Sequence, residues 1–451
     1  MEIIPVVDEG LGNSSYVVDL GDGAALVLDP ERDPRPYATH LEHRGLQARF
    51  VVETHLHADF VSGGRELAAT GAQLLAPRGS ELGYADRPLE DGDELDLGGL
   101  RLQAIATPGH TPEHLAYLLL DGSRPVALFS GGTLIAGGAA RTDLLSPEHT
   151  EPLARQAYRS IRERLLALPD ELPVYPTHGA GSFCSTTPGG ERITTIGQER
   201  TANPLLADDP DEDSFVTRLL AGYGTFPPYF LELRAVNRNG PQVHGTSGPP
   251  LPARSVSEVA EAMRGDVEVV DTRSSHDFAA GHIPGALANP WRASFATWLG
   301  WLVPREREVV FVTDGTLDHA DLAWAAATVG FERLHGVFDG GMAAWRAAGQ
   351  PVATTPLLAP DAVDARRIVD VRQRAEHTAG HLPGSLHVEL GELTTAADRV
   401  EPEPVLVHCG HNERAMSAAS LLERAGHRDV AALDGGPADL LAPGGTLEVG
   451  A

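Results

Sequence analysis

The sequence of 451 residues contains no lysine, so its 35 basic side chains are all arginine and stand against 63 acidic ones. The resulting net charge of −28 leaves no cluster of cations able to neutralise phosphates, which disfavours nucleic-acid binding. Only two cysteines are present, Cys184 and Cys409. A disulfide framework is thereby excluded, and a reducing compartment is expected.

Long apolar runs are also missing. No stretch approaches the roughly 18 apolar residues of a membrane span, and the opening residues MEIIPVVDEG lack the basic start and apolar core of a signal peptide. We therefore expect a soluble, cytoplasmic protein. Hydrophobic residues make up 42% and charged residues 22% of the chain, which is typical of folded domains. The length predicts about three domains.

An internal repeat occupies the C-terminal half. The segment VVDTRSSHDFAAGHIPGA, ending at Ala286, returns as IVDVRQRAEHTAGHLPGS, ending at Ser385. In both copies short β-branched runs alternate with helical stretches, which predicts a parallel sheet covered by helices. We expect two copies of one α/β domain at 254–354 and 360–451, after a linker at 241–253 that is rich in Gly, Pro and Ser.

The first 240 residues follow a different pattern. Short strand-like runs separated by Gly, Asp and Pro predict a β-rich sandwich with helices outside. Candidate metal ligands follow three of these runs: His55, His57 and Asp59 in THLHAD, His110 in ATPGHTPEH, and His178 in VYPTHGAG. Imidazole and carboxylate ligands suit Zn²⁺ or Fe²⁺, so we expect one divalent metal at these strand ends.

These motifs resemble those of the metallo-β-lactamase superfamily, and the resemblance covers residues 1 to about 240. It implies an αββα sandwich. Two-metal hydrolases of that superfamily usually carry H-x-H-x-D-H, whereas Phe60 stands at the position of the last histidine here. The stretches THLHADFVSG and HGAGSFC look most like the persulfide dioxygenases that are fused to rhodanese domains. Those enzymes use one mononuclear iron, so the resemblance favours Fe²⁺ over Zn²⁺.

One position departs from that family. Its iron ligands correspond to His55 and His110, but the third, an aspartate in a strand-end F-[ST]-G-D motif, is replaced by Gly132. Glycine has no side chain with which to ligate a metal. Three alternatives remain open: His57 completes a three-histidine site, Asp59 supplies the carboxylate, or this domain is a pseudoenzyme.

The repeated domain resembles the rhodanese family, whose active members carry a C-x4-R loop between a central strand and a helix. In the second copy the loop runs Cys409, Gly410, His411, Asn412, Glu413, Arg414. The resemblance implies that Cys409 carries a persulfide while the loop amides and Arg414 bind the transferred sulfur or a sulfite-like anion. Asn412 replaces a family glycine, and asparagine tolerates the positive φ expected there.

The first copy has Asp314 and His319 at the positions of the cysteine and the arginine. Because a carboxylate cannot carry sulfane sulfur, we expect this copy to be an inactive spacer or docking surface. Cys184 lies six residues after His178 and is interpreted as a loop thiol.

Together these features predict a sulfide-oxidation enzyme. The N-terminal domain would oxidise a low-molecular-weight thiol persulfide with O₂ to sulfite, and Cys409 would exchange sulfane sulfur with sulfite or thiosulfate. One alternative is a thioesterase resembling glyoxalase II, and another is a non-catalytic N-terminal scaffold that presents persulfides to the active rhodanese domain. The sequence does not identify the carrier thiol, and it is compatible with a homo-oligomer.

Overall fold

The computed structural model describes residues 1–185, 190–338, 340–402, 404–441 and 444–450. The chain forms two compact units: unit 1 comprises Met1–Gly248 and Ala327–Gly330, and unit 2 comprises Pro249–Ala326 and Phe331–Ala451. The boundary after residue 248 lies inside the segment predicted as a linker. Within the described ranges, no helix is both long enough and apolar enough to cross a membrane.

Unit 1 contains two six-stranded sheets. The first consists of β1 (Ile3–Asp8), β2 (Asn13–Gly21), β3 (Ala24–Leu28), β4 (Gln47–Val52), β5 (Gln73–Pro77) and β6 (Arg87–Leu89), in that spatial order. The second consists of β7 (Glu94–Asp96), β8 (Leu100–Ala106), β9 (Leu115–Asp121), β10 (Arg124–Gly131), β11 (Pro173–Pro176) and β12 (Thr194–Thr195), also in sequence order.

Helices lie outside the two sheets of unit 1. They are α1 (Arg35–Arg44), α2 (Gly64–Ala68), α3 (Pro147–Arg159), which continues as a π-helical turn over Ser160–Leu165, α4 (Ile196–Ala202), α5 (Glu212–Ala221) and α6 (Phe230–Asn239). The alternation of side chains along β3 shows how the layers form. Leu26 and Leu28 lie in one hydrophobic cluster with Leu119 of the second sheet, whereas Val27 faces the opposite way, in one cluster with Tyr37 of α1. The predicted αββα sandwich is confirmed.

The strand directions in unit 1 place several loops at one edge of each sheet. β3 runs parallel to β4, and β10 runs parallel to β11, so the carboxyl ends of each pair meet. Asp29 follows β3, Thr54 and His55 follow β4 by two and three residues, and His178 follows β11 by two. The residues that follow these strands therefore lie close together in one site.

Unit 2 contains two five-stranded sheets. The first consists of β13 (Ala253–Arg254), β14 (Val267–Asp271), β15 (Leu287–Ala288), β16 (Glu308–Val312) and β17 (Leu334–Phe338), in the order β13-β17-β16-β14-β15. The second consists of β18 (Leu357–Leu358), β19 (Arg367–Asp370), β20 (Leu386–His387), β21 (Val405–His408) and β22 (Val430–Leu433), in the order β18-β22-β21-β19-β20. Every pairing is parallel, and corresponding strands occupy corresponding places.

The crossovers of unit 2 are mostly helical, as parallel strands require. The helices are α7 (Val256–Ala262), α8 (Ser275–Ala280), α9 (Phe295–Leu302), α10 (His319–Thr328), α11 (Gly341–Ala347), α12 (Arg374–Ala379), α13 (Leu393–Ala396) and α14 (Glu413–Arg424). The α/β architecture predicted for both repeats is thus confirmed.

The repeated D-x-R motif holds the same turn in both copies. Arg273 lies 2.6 Å from the carboxylate of Asp271, and Arg372 lies 2.6 Å from that of Asp370. Each guanidinium also donates to the carbonyl of the repeated glycine, at 2.9 Å for Gly281 and 2.7 Å for Gly380. Each motif therefore ties the end of a central strand to the turn after the next helix.

Candidate functional site

Three histidines from three strand ends converge in unit 1. His55 follows β4, His110 follows β8, and His178 follows β11. One ring nitrogen from each lies within 4.8 Å of the others, and all three side chains are buried. The structure thus brings together one histidine from each of the three motifs that the sequence singles out.

Hydrogen bonds fix which nitrogen of each imidazole carries the proton. Nδ1 of His110 donates to the Arg141 carbonyl at 2.6 Å, and Nδ1 of His178 lies 3.1 Å from Oδ1 of Asn13. Nδ1 of His55 donates to the hydroxyl of Thr54 at 2.8 Å, because that hydroxyl uses its own proton on Asp29. In each ring Nδ1 is therefore the nitrogen that donates outward, and Nε2 is the nitrogen left to face the group.

The inward-facing nitrogens have the character of metal ligands. Nε2 of His55 and Nε2 of His178 are only 3.3 Å apart. Nε2 of His110 is buried and has no hydrogen-bond partner among the described residues. Burial, reinforced by the neighbouring imidazoles, holds the pKa of His55 and of His110 well below the usual value, so both are neutral. A divalent cation fits this donor set.

His57 lies beside this group but faces two carboxylates. Its Nε2 is 3.3 Å from Asp29 and 3.2 Å from Glu53. Burial lowers the pKa of His57, but the two carboxylates outweigh it and raise that pKa to about 10. Phe60, at the position of the missing histidine, stacks on the His57 ring at 4.2 Å. His57 is therefore a buried cation in this arrangement, with its charge balanced by Asp29 and Glu53.

Asp59 supports His178 from behind. Its Oδ2 accepts from the amide of Asn13 at 2.8 Å and lies 3.3 Å from Nδ1 of His178. Asp59, His57 and His178 also form a second set of ligand atoms within 4.8 Å, and Asp29, Glu53 and His57 form a third. Cys184 is buried next to Asp59, and burial raises the pKa of its thiol well above the usual range. This thiol is therefore neutral.

Gly132, which stands where the related family has an aspartate, leaves room for the His110 ring. A Cβ atom on Gly132 would lie 2.6 Å from Cδ2 of His110 and 3.0 Å from Cβ of Ala140. The backbone N–H of Gly132 donates to Nε2 of His114 at 3.0 Å. Burial lowers the pKa of His114 to about 3, which keeps that nitrogen an acceptor. The histidine ring occupies space that an aspartate side chain would need.

Several residues that contact this site are not among those predicted from the sequence. Asn13, Asp29, Glu53 and His114 all contact the histidine group, although His114 ends the ATPGHTPEH motif and Glu53 directly precedes THLHAD. Asp29 could have been predicted from the sequence, because it lies at the end of a strand-like run and the histidine motifs also follow such runs. Asn13 lies 165 positions from its partner His178, and nothing local indicates that contact.

The second candidate site lies in unit 2, between β21 and α14. Cys409 follows β21 and is 1% exposed. Arg414, in the first turn of α14, donates to both oxygens of Glu376 at 2.6 and 2.8 Å. Cys409 thus lies four residues before the first residue of this 12-residue helix.

The residues between Cys409 and Arg414 have separate surroundings. Asn412 has a φ of −141°, so the expectation of a positive φ at this position is wrong. Its amide instead donates to Asp434 at 2.8 Å, which anchors the loop. His411 is exposed and Glu413 is half-buried, while Gly410 lies at the edge of the loop beside Arg414.

The corresponding loop of the first copy is built differently. Asp314 accepts from both the backbone and the hydroxyl of Thr316, at 2.8 and 2.7 Å, and these bonds lower its pKa. His319 begins α10. Together with Arg273 these residues line a cavity of about 570 Å³ that contains no thiol among its lining residues.

Comparisons with known proteins cover both units. The rhodanese-like domain family matches residues 255–348 and 357–441. The bovine (Bos taurus) protein Persulfide dioxygenase ETHE1, mitochondrial, is 32% identical over 198 residues, which are 43% of this chain and 71% of that protein. Hydroxyacylglutathione hydrolase of Methylobacillus flagellatus is 39% identical over 181 residues, 39% of this chain and 66% of that protein. The chain therefore spans about two thirds of the length of these relatives.

A solved structure covers more of the chain. The crystal structure of a metallo-beta-lactamase from Staphylococcus aureus subsp. aureus COL superposes with a TM-score of 0.64 at 27% identity. The superposition covers 75% of this chain and 98% of that one. These similarities agree with the fold class that the sequence predicts for both halves.

We expect the metal to depend on His55, His110 and His178. Replacing any one of them with Ala removes a lone pair from the group and should weaken metal binding at least about tenfold, as metal analysis of purified protein would measure. His149 is exposed, so His149→Ala is the matched control. His57→Gln should retain the metal because His57 faces carboxylates. Loss of metal in His57→Gln equal to that in His55→Ala would place the ion in one of the sets containing His57.

A second expectation concerns the glycine beside His110. Gly132→Ala removes no ligand atom, but its Cβ would displace the His110 ring, so metal affinity should fall by about tenfold. Gly83→Ala is the control, since Gly83 has no neighbour within 4 Å of an added Cβ. Metal content and thermal unfolding are measured together. Unchanged metal binding in a well-folded Gly132→Ala protein would show that the ring position does not matter.

Proposed function

Because this chain belongs to the metallo-β-lactamase-fold family of the persulfide dioxygenases and carries two rhodanese-like domains, we propose that it oxidises persulfide sulfur in unit 1 and transfers sulfane sulfur in unit 2. The reaction of unit 1 is RSSH + O₂ + H₂O → RSH + SO₃²⁻ + 2H⁺, in which RSSH is a low-molecular-weight thiol persulfide. The observation that carries this proposal is the convergence of three buried imidazoles on one point.

In this proposal His55, His110 and His178 hold one divalent metal, with Fe²⁺ favoured over Zn²⁺. When bound, a ferrous ion supplies the one-electron chemistry with which O₂ reacts. The chain itself keeps the three rings in place through their Nδ1 protons, which donate to Thr54, Asn13 and the Arg141 carbonyl. Arg141 is in turn held by two hydrogen bonds to Asp143 at 2.7 and 2.8 Å. These contacts orient the ligands before any substrate arrives.

The surroundings of the histidines suit an easily oxidised substrate. The cluster lies in the interior, which limits access of bulk water to a reactive persulfide. Cys184 beside it is held as a neutral thiol by burial and by Asp59, so it does not compete as a thiolate nucleophile. The proposed product, sulfite, is also a reactant of the chemistry proposed for unit 2.

In unit 2 we propose that Cys409 carries the sulfur. Its thiolate attacks the outer sulfur of thiosulfate, a new S–S bond forms on Cys409, and sulfite leaves with the electron pair of the broken bond. Transfer from the Cys409 persulfide to sulfite is the reverse of this step. Having both sites in one chain raises the effective concentration of one site's product at the other.

A thioesterase activity is the second candidate, because the Methylobacillus flagellatus relative is a hydroxyacylglutathione hydrolase. Two features of unit 1 argue against it. Phe60 stands where a two-metal hydrolase has a histidine, and Gly132 offers no carboxylate that could bridge two ions. Asp29 and Glu53 also face the charge on His57, so neither carboxylate is free to bind a second metal.

Oxygen uptake separates the two candidates. With iron-loaded protein and glutathione persulfide as the probe, we expect O₂ consumption and sulfite formation in a one-to-one ratio. Under anaerobic conditions the same protein should not hydrolyse S-lactoylglutathione. Anaerobic hydrolysis without persulfide-dependent O₂ uptake would establish the thioesterase instead, and the absence of both activities would leave unit 1 as a scaffold. His55→Ala, in which weaker metal binding is expected, serves as the metal-depleted control.

Sulfur transfer is tested on the two cysteines. Cys409→Ser should abolish the transfer of sulfur from thiosulfate to cyanide and remove the sulfane-sulfur mass adduct, because an alcohol at this site is not ionised and cannot accept sulfur. Cys184→Ser is the matched control and should leave this activity intact. Retention of most activity in Cys409→Ser would refute the assignment.

A further inference from the structure

The active loop of unit 2 has few cations available for an anionic substrate. Both terminal nitrogens of Arg414 are hydrogen-bonded to the Glu376 carboxylate at 2.6 and 2.8 Å, so its charge is balanced within the second copy. Glu413 adds a second carboxylate at the start of α14. With a thiolate on Cys409 the loop is net negative, whereas thiosulfate and sulfite are dianions. A further cation beside the loop would favour their approach.

Arg292 of the first copy supplies such a cation. It lies between β15 and α9, and its Nη1 is 3.7 Å from Oε2 of Glu413. This contact is longer than the two that Arg414 makes. The Arg292 side chain is only 27% exposed, and its Nε is buried with no hydrogen-bond partner among the described residues. Arg292 therefore keeps donors free while lying against the active loop.

The electrostatic environment of Arg292 agrees with this placement. Burial lowers the pKa of Arg292, and Arg414 acts in the same direction. Glu413 and a Cys409 thiolate oppose the shift, so the charge on Arg292 interacts directly with the charge on the sulfur. An arginine with an unsatisfied buried donor beside the loop that carries the nucleophile is arranged to bind an anionic oxygen.

The position of Arg292 is fixed by contacts between the two copies. The backbone N–H of Ala288 donates to the hydroxyl of Ser420 on α14 at 3.1 Å, and Arg424 at the end of α14 donates to the carbonyl of Gly285 at 2.9 Å. Within the first copy, the backbone N–H of Trp291, the residue before Arg292, donates to the carbonyl of Thr272 at 2.8 Å. The helix that begins at the active loop is thus held against the segment that carries Arg292.

From this geometry we infer that Arg292 of the first rhodanese copy binds the sulfonate oxygens of thiosulfate, or the oxygens of sulfite, at the Cys409 site of the second copy. The inference rests on the sulfurtransferase activity proposed above and adds a substrate-binding residue to it. It also gives the copy without a cysteine a definite part in the reaction. That copy supplies a cation for the substrate, because the charge of Arg414 is already balanced by Glu376.

A binding experiment tests the inference independently of turnover. Thiosulfate is titrated calorimetrically into the full-length Cys409→Ser protein, with and without Arg292→Gln. Loss of a charged hydrogen-bond donor should weaken the affinity at least about tenfold. Arg292→Lys should restore part of it. Arg264→Gln is the control, because Arg264 is an exposed arginine of the same copy away from the loop, and it should bind as tightly as the parent.

Kinetics of the Cys409 enzyme separate binding from a structural effect. In Arg292→Gln the KM for thiosulfate should rise at least about tenfold, while discharge of a preformed Cys409 persulfide to cyanide keeps its rate. Unchanged thiosulfate affinity and KM in Arg292→Gln would overturn the inference. An equal loss of the discharge rate would assign Arg292 a structural role and also overturn it. If the wild-type protein transfers no sulfur, the proposed function fails, and the titration alone decides the role of Arg292.

Discussion

The carboxylate of Asp29 is the interaction on which the N-terminal site depends. It lies at the end of β3 with a φ of 45°, a conformation that aspartate tolerates better than most residues. It accepts from the backbone N–H and the hydroxyl of Thr54, at 2.6 and 2.8 Å, and from the hydroxyl of Thr177. Because Thr54 and Thr177 immediately precede His55 and His178, one buried anion positions two of the three converging imidazoles.

The histidines of this site differ in charge because their surroundings differ. His57 faces two carboxylates and is charged, whereas burial and the neighbouring imidazoles lower the pKa of His55 and of His110 and keep both neutral. In a site of low dielectric constant such contacts outweigh the intrinsic basicity of the ring. At Gly132, where the related family has a carboxylate, the His110 ring fills the space beside the glycine, and His178, backed by Asn13 and Asp59, faces the same point.

Unit 2 shows how a duplicated domain divides its residues between fold and chemistry. The Asp–Arg pair and its bond to the repeated glycine are present in both copies because each sheet needs them to hold the same turn. The loop after the central strand is free of that requirement, since Asp314 and Cys409 occupy the same place in equivalent sheets. A copy that has lost its cysteine therefore keeps its architecture and still presents Arg292 to the copy that retains one.

The sequence by itself determined the class of both units, the repeat, the three histidine motifs and the position of the C-x4-R loop, because these depend on periodicity and spacing within short segments. It left open how the site around Gly132 is completed, and it gave no sign of Asn13 or Glu53. Only the tertiary structure decided that His57 pairs with carboxylates, that His178 faces His55, and that Asn412 keeps a negative φ. The physical reason is that the orientation and charge of a buried imidazole are set by partners far away in the chain, such as Asn13 for His178, and no local pattern encodes such contacts.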